Sequence, residues 1–348
     1  MPSNRPPHLE RRRRTHRAYA IVLLAALFAM PARAAQVAAS IEYETIARPA
    51  GLPDTFRPQG GATLQFLAIK AIDGFRVEAA LWQPPSKAAA DTTLIVMVHG
   101  SGDNYHHGPT MSLAHDLSPR GYAALSINTR QHDDLINADN FLDIRRDIEA
   151  AVATARALGY RRLVLYGHSL GNIQVQYYAA TDWSPDIKAV VLTGPFGNLP
   201  WKTRNLLVQD DASYRALADE AMASLHDGTL VKYLPDKMRY LGGQNSPVTG
   251  QHFLTYRLDA TSVADGTYWI HRIPHPILIA RDQADGIVQP FEPYMLLSAA
   301  HGPDSLATSV KFVLVPDARP PSADGHSFIG NEQRLTDTVA GWLADQHL

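Results

Sequence analysis

The stretch Arg162-Leu163-Val164-Leu165-Tyr166-Gly167-His168-Ser169-Leu170-Gly171 joins an apolar, partly β-branched run to a G-x-S-x-G pattern. The run reads as a buried strand, and Leu170 to Ala180 after it reads as a helix. A serine on so sharp a strand-to-helix turn sits in strained backbone geometry. Side chains two residues to either side would meet the crossing chain, which accounts for the two glycines. The turn also puts Ser169 at a helix N-terminus, where free N–H groups and the helix dipole favour developing negative charge. Ser169 is therefore the candidate nucleophile, the alternative being a purely structural turn.

Working outward, the pattern predicts strands alternating with helices. Leu64 to Ala71 and Phe75 to Trp82, separated by Ile72-Asp73-Gly74, read as a hairpin. Thr92 to Val98 is a near-continuous apolar run, the mark of a strand covered on both faces in a parallel sheet. Further strands are expected at Ala123–Ile127, Leu163–Tyr166, Ala189–Leu192, Ile277–Ala280 and Phe312–Val315. Helices are expected at Pro109–Leu117, Asn140–Leu158, Leu170–Ala180 and Glu332–Gln346. This alternation predicts a doubly wound α/β sheet over residues 63–348. Residues 195–272 break the rhythm: they hold no buried-strand run, only helical patterns such as Ala212 to His226 and the aromatics Trp201, Tyr233, Tyr240, Phe253, Tyr256, Tyr268 and Trp269. The segment is too long for a structureless loop and reads as a helical insertion over the sheet. Residues 35–62, with three prolines and Gly60-Gly61, read as an extended arm.

A serine hydroxyl is a weak nucleophile without a base, and the base needs an orienting acid. For this motif the acid and then the histidine follow the serine in the chain. After the strand at Ile277 comes Arg281-Asp282-Gln283-Ala284-Asp285-Gly286-Ile287-Val288. A carboxylate at the carboxyl end of a sheet strand lies where such sheets build their sites. Asp285 is the favoured acid and Asp282 the alternative. Asp324-Gly325-His326-Ser327-Phe328 precedes the last helix, and His326 is the histidine of that loop and the candidate base. His99-Gly100-Ser101-Gly102 follows the strand ending at Val98. The backbone N–H groups of Ser101 and of Leu170 are the expected oxyanion donors, with His99 buttressing the turn. His106-His107 with His99 and Asp103 lack a zinc-site spacing and read as a polar loop. No phosphate-binding glycine pattern occurs, so neither a cofactor nor a metal is implied.

With HGSG, GHSLG, DQADGIV and DGHSF in this order, the chain from Leu64 onward resembles the α/β-hydrolase fold superfamily of serine esterases and lipases. The resemblance implies an eight-stranded, mostly parallel sheet, a cap inserted after the sixth strand, an acyl-enzyme mechanism and a small-molecule ester substrate. The chain departs from common members in two ways. Residues 317–323 (DARPPSA) lengthen the loop before His326, and the oxyanion turn is HGSG where one esterase branch has HGGG. Rival expectations are a peptidase or amidase, an acyltransferase, or an inactive relative that only binds a ligand.

Charge is unevenly placed. Residues 1–34 carry seven arginines against one glutamate, a net of +6, which leaves residues 35–348 with 25 basic and 33 acidic side chains, a net of −8. The basic run Arg11 to Arg14 with Arg17, the apolar stretch Ala18 to Met30 and the A-x-A site Ala32-Arg33-Ala34 predict a signal peptide over 1–34 and a periplasmic or secreted product. The apolar stretch is shorter than the ~20 residues that span a bilayer, so no stable membrane anchor is expected. An acidic remainder gives no footing on phosphate backbones, so nucleic acid is not an expected partner. The chain has no cysteine, which excludes disulfides, thiolate nucleophiles and cysteine metal sites. Oligomeric state is not readable from the sequence.

Overall fold

The computed structural model describes residues 42–85, 87–236, 238–239 and 245–348. The expected leader 1–34, the first part of the arm and Tyr240 lie outside the described residues.

A sheet dominates the structure. Its strands are β1 (Tyr43–Ile46), β2 (Thr63–Lys70), β3 (Arg76–Gln83), β4 (Thr93–Val98), β5 (Ala123–Ile127), β6 (Arg162–His168), β7 (Ile187–Thr193), β10 (Ile277–Asp282) and β11 (Val310–Val315), in the spatial order β1-β2-β3-β5-β4-β6-β7-β10-β11. The pairs β1·β2, β2·β3 and β3·β5 are antiparallel, and every pair from β5 to β11 is parallel. β4 and β10 are buried along their whole length because helices cover both faces. Alternate residues feed two cores. Leu94, Val96 and Val98 of β4 pack with Ile144, Ile148, Val175 and Tyr178, whereas Ile95 and Met97 pack with Leu113, Leu117, Val339 and Trp342.

The helices that supply these side chains are α1 (Gly108–Leu117), α2 (Ile144–Ala157), α3 (Leu170–Thr181) and α10 (Glu332–Asp345), and α8 (Glu292–Ala300) joins β10 to β11. The helix expected from Asn140 begins as a 3₁₀ turn, Phe141–Asp143, with Asn140 Oδ1 accepting Leu142 N at 2.9 Å, and becomes α-helical at Ile144. Between α2 and β6, Gly159 sits at φ +97°, as expected past a helix end.

Among the described residues the sheet has nine strands where eight were expected. The extra one is β1, within the segment read as an arm, and its residues are exposed or half-buried. An edge strand held by backbone pairing with β2 needs no apolar run, so the pattern used to find strands was absent there.

The 195–272 insertion follows β7, which is the sixth strand once β1 is set aside. It contains α4 (Leu199–Lys202) running into a π turn at Thr203–Leu207, then α5 (Asp211–His226). A small antiparallel pair follows, β8 (Met238–Arg239) with β9 (Asn245–Ser246), unforeseen in a segment read as helical. Next come α6 (Gly250–His252), a π turn at Phe253–Arg257 and α7 (Gly266–Ile270). Its apolar centre includes Tyr214, Leu217, Met238, Val248 and Phe253. A second cluster, Phe141, Leu170, Ile173, Phe196, Leu199, Leu207 and Tyr256, welds the insertion to the start of α3.

One charge network pins the β5–α2 connection. Asp147, fully buried on α2, accepts from Arg130 N at 2.8 Å and Arg130 Nη2 at 2.6 Å, while Arg130 Nη1 reaches Asp73 of the hairpin turn at 2.9 Å. Removing one partner of a buried pair strands the other. Asp147→Ala is expected to cost about 3 kcal/mol, read as a lower urea midpoint with unchanged slope.

Candidate active site

The chain leaves β4 for β5 on one side and returns to β6 on the other, opening a crevice at the carboxyl ends of β4 and β6. Ser169 stands there, between β6 and α3, at φ +51° and ψ −119°. A non-glycine residue holds such a conformation only when its surroundings over-determine it. Ser169 N donates to Thr193 O at 3.0 Å, and Asn172 Nδ2 donates to Ser169 O at 2.9 Å and to Thr193 O at 2.8 Å. The motif glycines are explained by contact. A Cβ on Gly167 would lie 2.5 Å from Gly171 O, and one on Gly171 would lie 2.5 Å from Val98 O and 2.6 Å from His99 O.

At the end of β4, His99 is fully buried. Its Nδ1 donates to Gly100 O at 2.6 Å, and its Nε2 accepts from Thr129 N and Thr129 Oγ1, both at 3.1 Å. Burial pulls its pKa down to about 4, so the ring is neutral and acts as a strut for the turn. Ser101 and Leu170 line the same small cavity as Ser169. Leu170 is the first residue of α3, where N–H groups have no intrahelical acceptor.

Asp285 and His326 come together from separate loops. His326 Nδ1 donates to Asp285 Oδ2 at 2.9 Å, and Asp285 Oδ1 accepts Ile287 N at 2.8 Å and Val288 N at 2.9 Å. The two loops are laced by Ser322 N donating to Ala284 O at 2.8 Å and Gly286 N donating to Ser322 O at 2.9 Å. His326 ends a one-turn helix, α9 (Ala323–His326), capped by Ser322. The long loop before it is braced by Arg319 on both oxygens of Asp317. Asp282 goes elsewhere: its oxygens accept Ala284 N at 2.7 Å and Asn331 Nδ2 at 2.8 Å, which ties the loop to the start of α10.

The far nitrogen, His326 Nε2, is buried and has no hydrogen-bond partner among the described residues, Ser169 Oγ included. The ring packs 4.9 Å from that of His168, whose Nδ1 lies 3.1 Å from Thr193 Oγ1. Burial, and then the neighbouring His326, hold His168 well below the usual imidazole range. A neutral wall therefore faces His326 on that side. An imidazole with one nitrogen on a carboxylate and the other unoccupied can take a proton from a hydroxyl and return it.

The remaining lining comes from the insertion and was not foreseen: Phe196, Leu199, Leu207, Lys202 and Arg257, together with Ile287. The space they leave beside Ser169 is about 20 Å³, room for about one water. Neither Lys202 nor Arg257 sits in a motif, so nothing in the sequence marked them. A larger cleft of about 650 Å³, walled by Asn198, Trp201, Asp265 and the paired Arg204, Asp211 and Asp259, contains none of these site residues. Among the described residues no cluster of three or more His, Asp or Glu is placed to hold a metal ion, and no helix is long and apolar enough to cross a membrane.

Residues 93–318 match the family described as alpha/beta hydrolase fold. No curated protein sequence matches the chain. Among similar solved structures is Est1E from Butyrivibrio proteoclasticus with ferulic acid bound, at 19% identity over 80% of this chain and 98% of its own, with a TM-score of 0.58. The hypothetical protein PA2218 from Pseudomonas aeruginosa is 16% identical over 88% of this chain and 100% of its own, with a TM-score of 0.61. The siderophore hydrolase EstB from Aspergillus fumigatus is 14% identical over 83% and 99%, with a TM-score of 0.58. At these identities the likeness is one of fold.

Burial pushes the Asp285 carboxyl up, but the charge and hydrogen bond of His326 and the N–H groups of Val288 and Ile287 outweigh it and leave the group below its usual value. A carboxyl depressed in the folded chain adds stability that is present above its unfolded pKa and is lost as pH falls through the folded one. Asp285→Asn should therefore lower Tm at pH 6, and the gap to wild type should narrow below about pH 4. A gap that does not change with pH contradicts this.

Proposed function

The chain belongs to the alpha/beta hydrolase fold family, and from that premise we propose that it is a serine hydrolase cleaving carboxylic esters of small molecules. The observation that carries the reading is the His326 imidazole, fixed on Asp285 through Nδ1, with its buried Nε2 unpartnered among the described residues and its ring 4.9 Å from that of His168, the residue before Ser169. In the proposed mechanism Ser169 Oγ attacks the acyl carbon while His326 Nε2 takes the hydroxyl proton. The N–H groups of Ser101 and Leu170 hold the negative oxygen. The C–O bond to the alcohol breaks and the alcohol leaves with the proton from His326. A water, deprotonated by His326, then attacks the acyl-serine, releases the acid and restores Ser169. Asp285 keeps the tautomer and steadies the imidazolium throughout.

The insertion acts as the cap of this site. With space for about one water beside Ser169, an ester reaches the serine only when cap side chains such as Leu207 give way. One of the structural neighbours has ferulic acid bound and another is named a siderophore hydrolase, which supports hydrolysis of a small molecule. Residues 1–34 are proposed as an export leader.

Three measurements test these assignments. A fluorophosphonate should label Ser169, and Ser169→Ala should lose labelling together with about 10⁴-fold or more of p-nitrophenyl ester turnover. Asp285→Asn should lower kcat by about 10³-fold or more. An equal loss in Asp282→Asn contradicts the choice of acid. For export, the N-terminus of protein recovered outside the cytoplasm should be Ala35. An intact residue 1–34 segment on that protein refutes the leader.

A further inference from the structure

Lys202 belongs to the insertion, yet it grips the loop that carries Asp285. It is the last residue of α4 and is 3% exposed, and its partner Glu292, the first residue of α8, is 1% exposed. Lys202 Nζ donates to Glu292 Oε2 at 2.6 Å and to Ile287 O at 3.1 Å. The same Glu292 oxygen accepts Gln289 N at 2.7 Å. The pair therefore holds the segment after Asp285 at two backbone points. Arg281, near the end of β10, holds two more: its Nη2 donates to Asp285 O at 2.8 Å and to Val288 O at 3.0 Å.

This segment decides where the Asp285 carboxylate points. Asp285 Oδ1 accepts Ile287 N at 2.8 Å and Val288 N at 2.9 Å, while Oδ2 accepts His326 Nδ1 at 2.9 Å. Ile287 is thus engaged at both backbone groups, its N–H on the carboxylate and its carbonyl on the ammonium. A buried ion pair loses in desolvation about what it gains in attraction, so stability is a weak reason to keep one, and fixing a geometry is a better one. An ammonium has three donors, enough to meet a carboxylate and a carbonyl at once. Glu292 stands at a helix N-terminus, where free N–H groups and the dipole favour its negative charge. A catalytic group misplaced by about 1 Å can cost about 10²-fold in rate.

We infer that Lys202 is a positioning residue: braced by Glu292, it fixes the Ile287 carbonyl and through that residue keeps the Asp285 carboxylate aimed at His326. The inference rests on the reading of Ser169, Asp285 and His326 as the groups that carry out the proposed hydrolysis. Lys202 also lines the cavity beside Ser169, so direct contact with substrate is the rival role, and kcat and KM separate the two.

The test replaces the charged pair by a neutral one of similar bulk, Lys202→Met with Glu292→Gln, so that no buried charge is left alone. With p-nitrophenyl acetate, kcat should fall about tenfold or more while KM stays within about twofold of wild type. An unchanged kcat overturns the inference, and a raised KM with unchanged kcat overturns it in favour of substrate contact. Proton NMR gives a second readout. The His326 Nδ1 proton, hydrogen-bonded to Asp285, should resonate downfield of the amide protons and vanish in Asp285→Asn. In the neutral-pair variant it should move upfield. A loss of kcat with that resonance unmoved overturns the route through Asp285. If the variant fails to melt cooperatively, Lys202→Gln with Glu292→Gln decides by the same readouts, because the glutamine nitrogen falls one bond short of Ile287 O. Fluorophosphonate labelling of the wild-type chain reports separately on the hydrolase reading. Without labelling that reading fails, while the His326 resonance still decides whether Lys202 holds Asp285 in place.

Discussion

The close passage of α3 over the end of β4 constrains nearly everything at the site. The chain turns from β6 into α3 so tightly that any side chain at position 171 would collide with the carbonyls of Val98 and His99, and any at 167 with the carbonyl of Gly171. That contact forces Ser169 to φ +51°. It also brings the two proposed oxyanion donors, Ser101 in the loop after β4 and Leu170 on α3, to the same cavity. Conformational strain of this kind, about 1–3 kcal/mol, persists only because the sheet on either side is rigid. β4 and β6 are central parallel strands whose alternate residues enter two separate cores, so neither can shift without disturbing both.

Around this pivot the buried ionisable groups are joined by hydrogen bonds. His326 meets Asp285, Lys202 meets Glu292, and His252 joins Asp139 to Arg257. Burial drives His252 to about 4, as it does His99, so both rings are neutral connectors that pass hydrogen bonds without adding charge. The 195–272 insertion contributes Lys202 and Arg257, and the sheet loops contribute the imidazole and its carboxylate. Lys202 links the two halves directly, because the carbonyl it touches belongs to Ile287, two residues beyond Asp285.

How much of this was legible in the sequence varied with the kind of signal. The strands of the parallel sheet were readable because burial on both faces demands an unbroken apolar run. Ser169 was readable because the steric demand for glycines at 167 and 171 is local. The pairing of His326 with Asp285, and not with Asp282, depends on which loop atoms meet in space. The two aspartates lie three residues apart at the end of the same strand, and only the lacing of Ser322 to Ala284 and Gly286 shows which one faces the histidine. β1 left no mark, since an exposed edge strand can be held by its backbone alone.

The sequence by itself therefore determined the architecture and the turn that carries Ser169, both of which are written in short-range periodicity and in glycine spacing. Only the tertiary structure decided the charge of the cavity. Lys202 and Arg257 are more than 50 residues apart in a segment with no motif, and an arginine or lysine in a sequence reads by default as solvated. That these two are instead buried beside Ser169, with Glu292 meeting Lys202 and Asn137 meeting Arg257 from other parts of the chain, follows from long-range packing that no local pattern encodes.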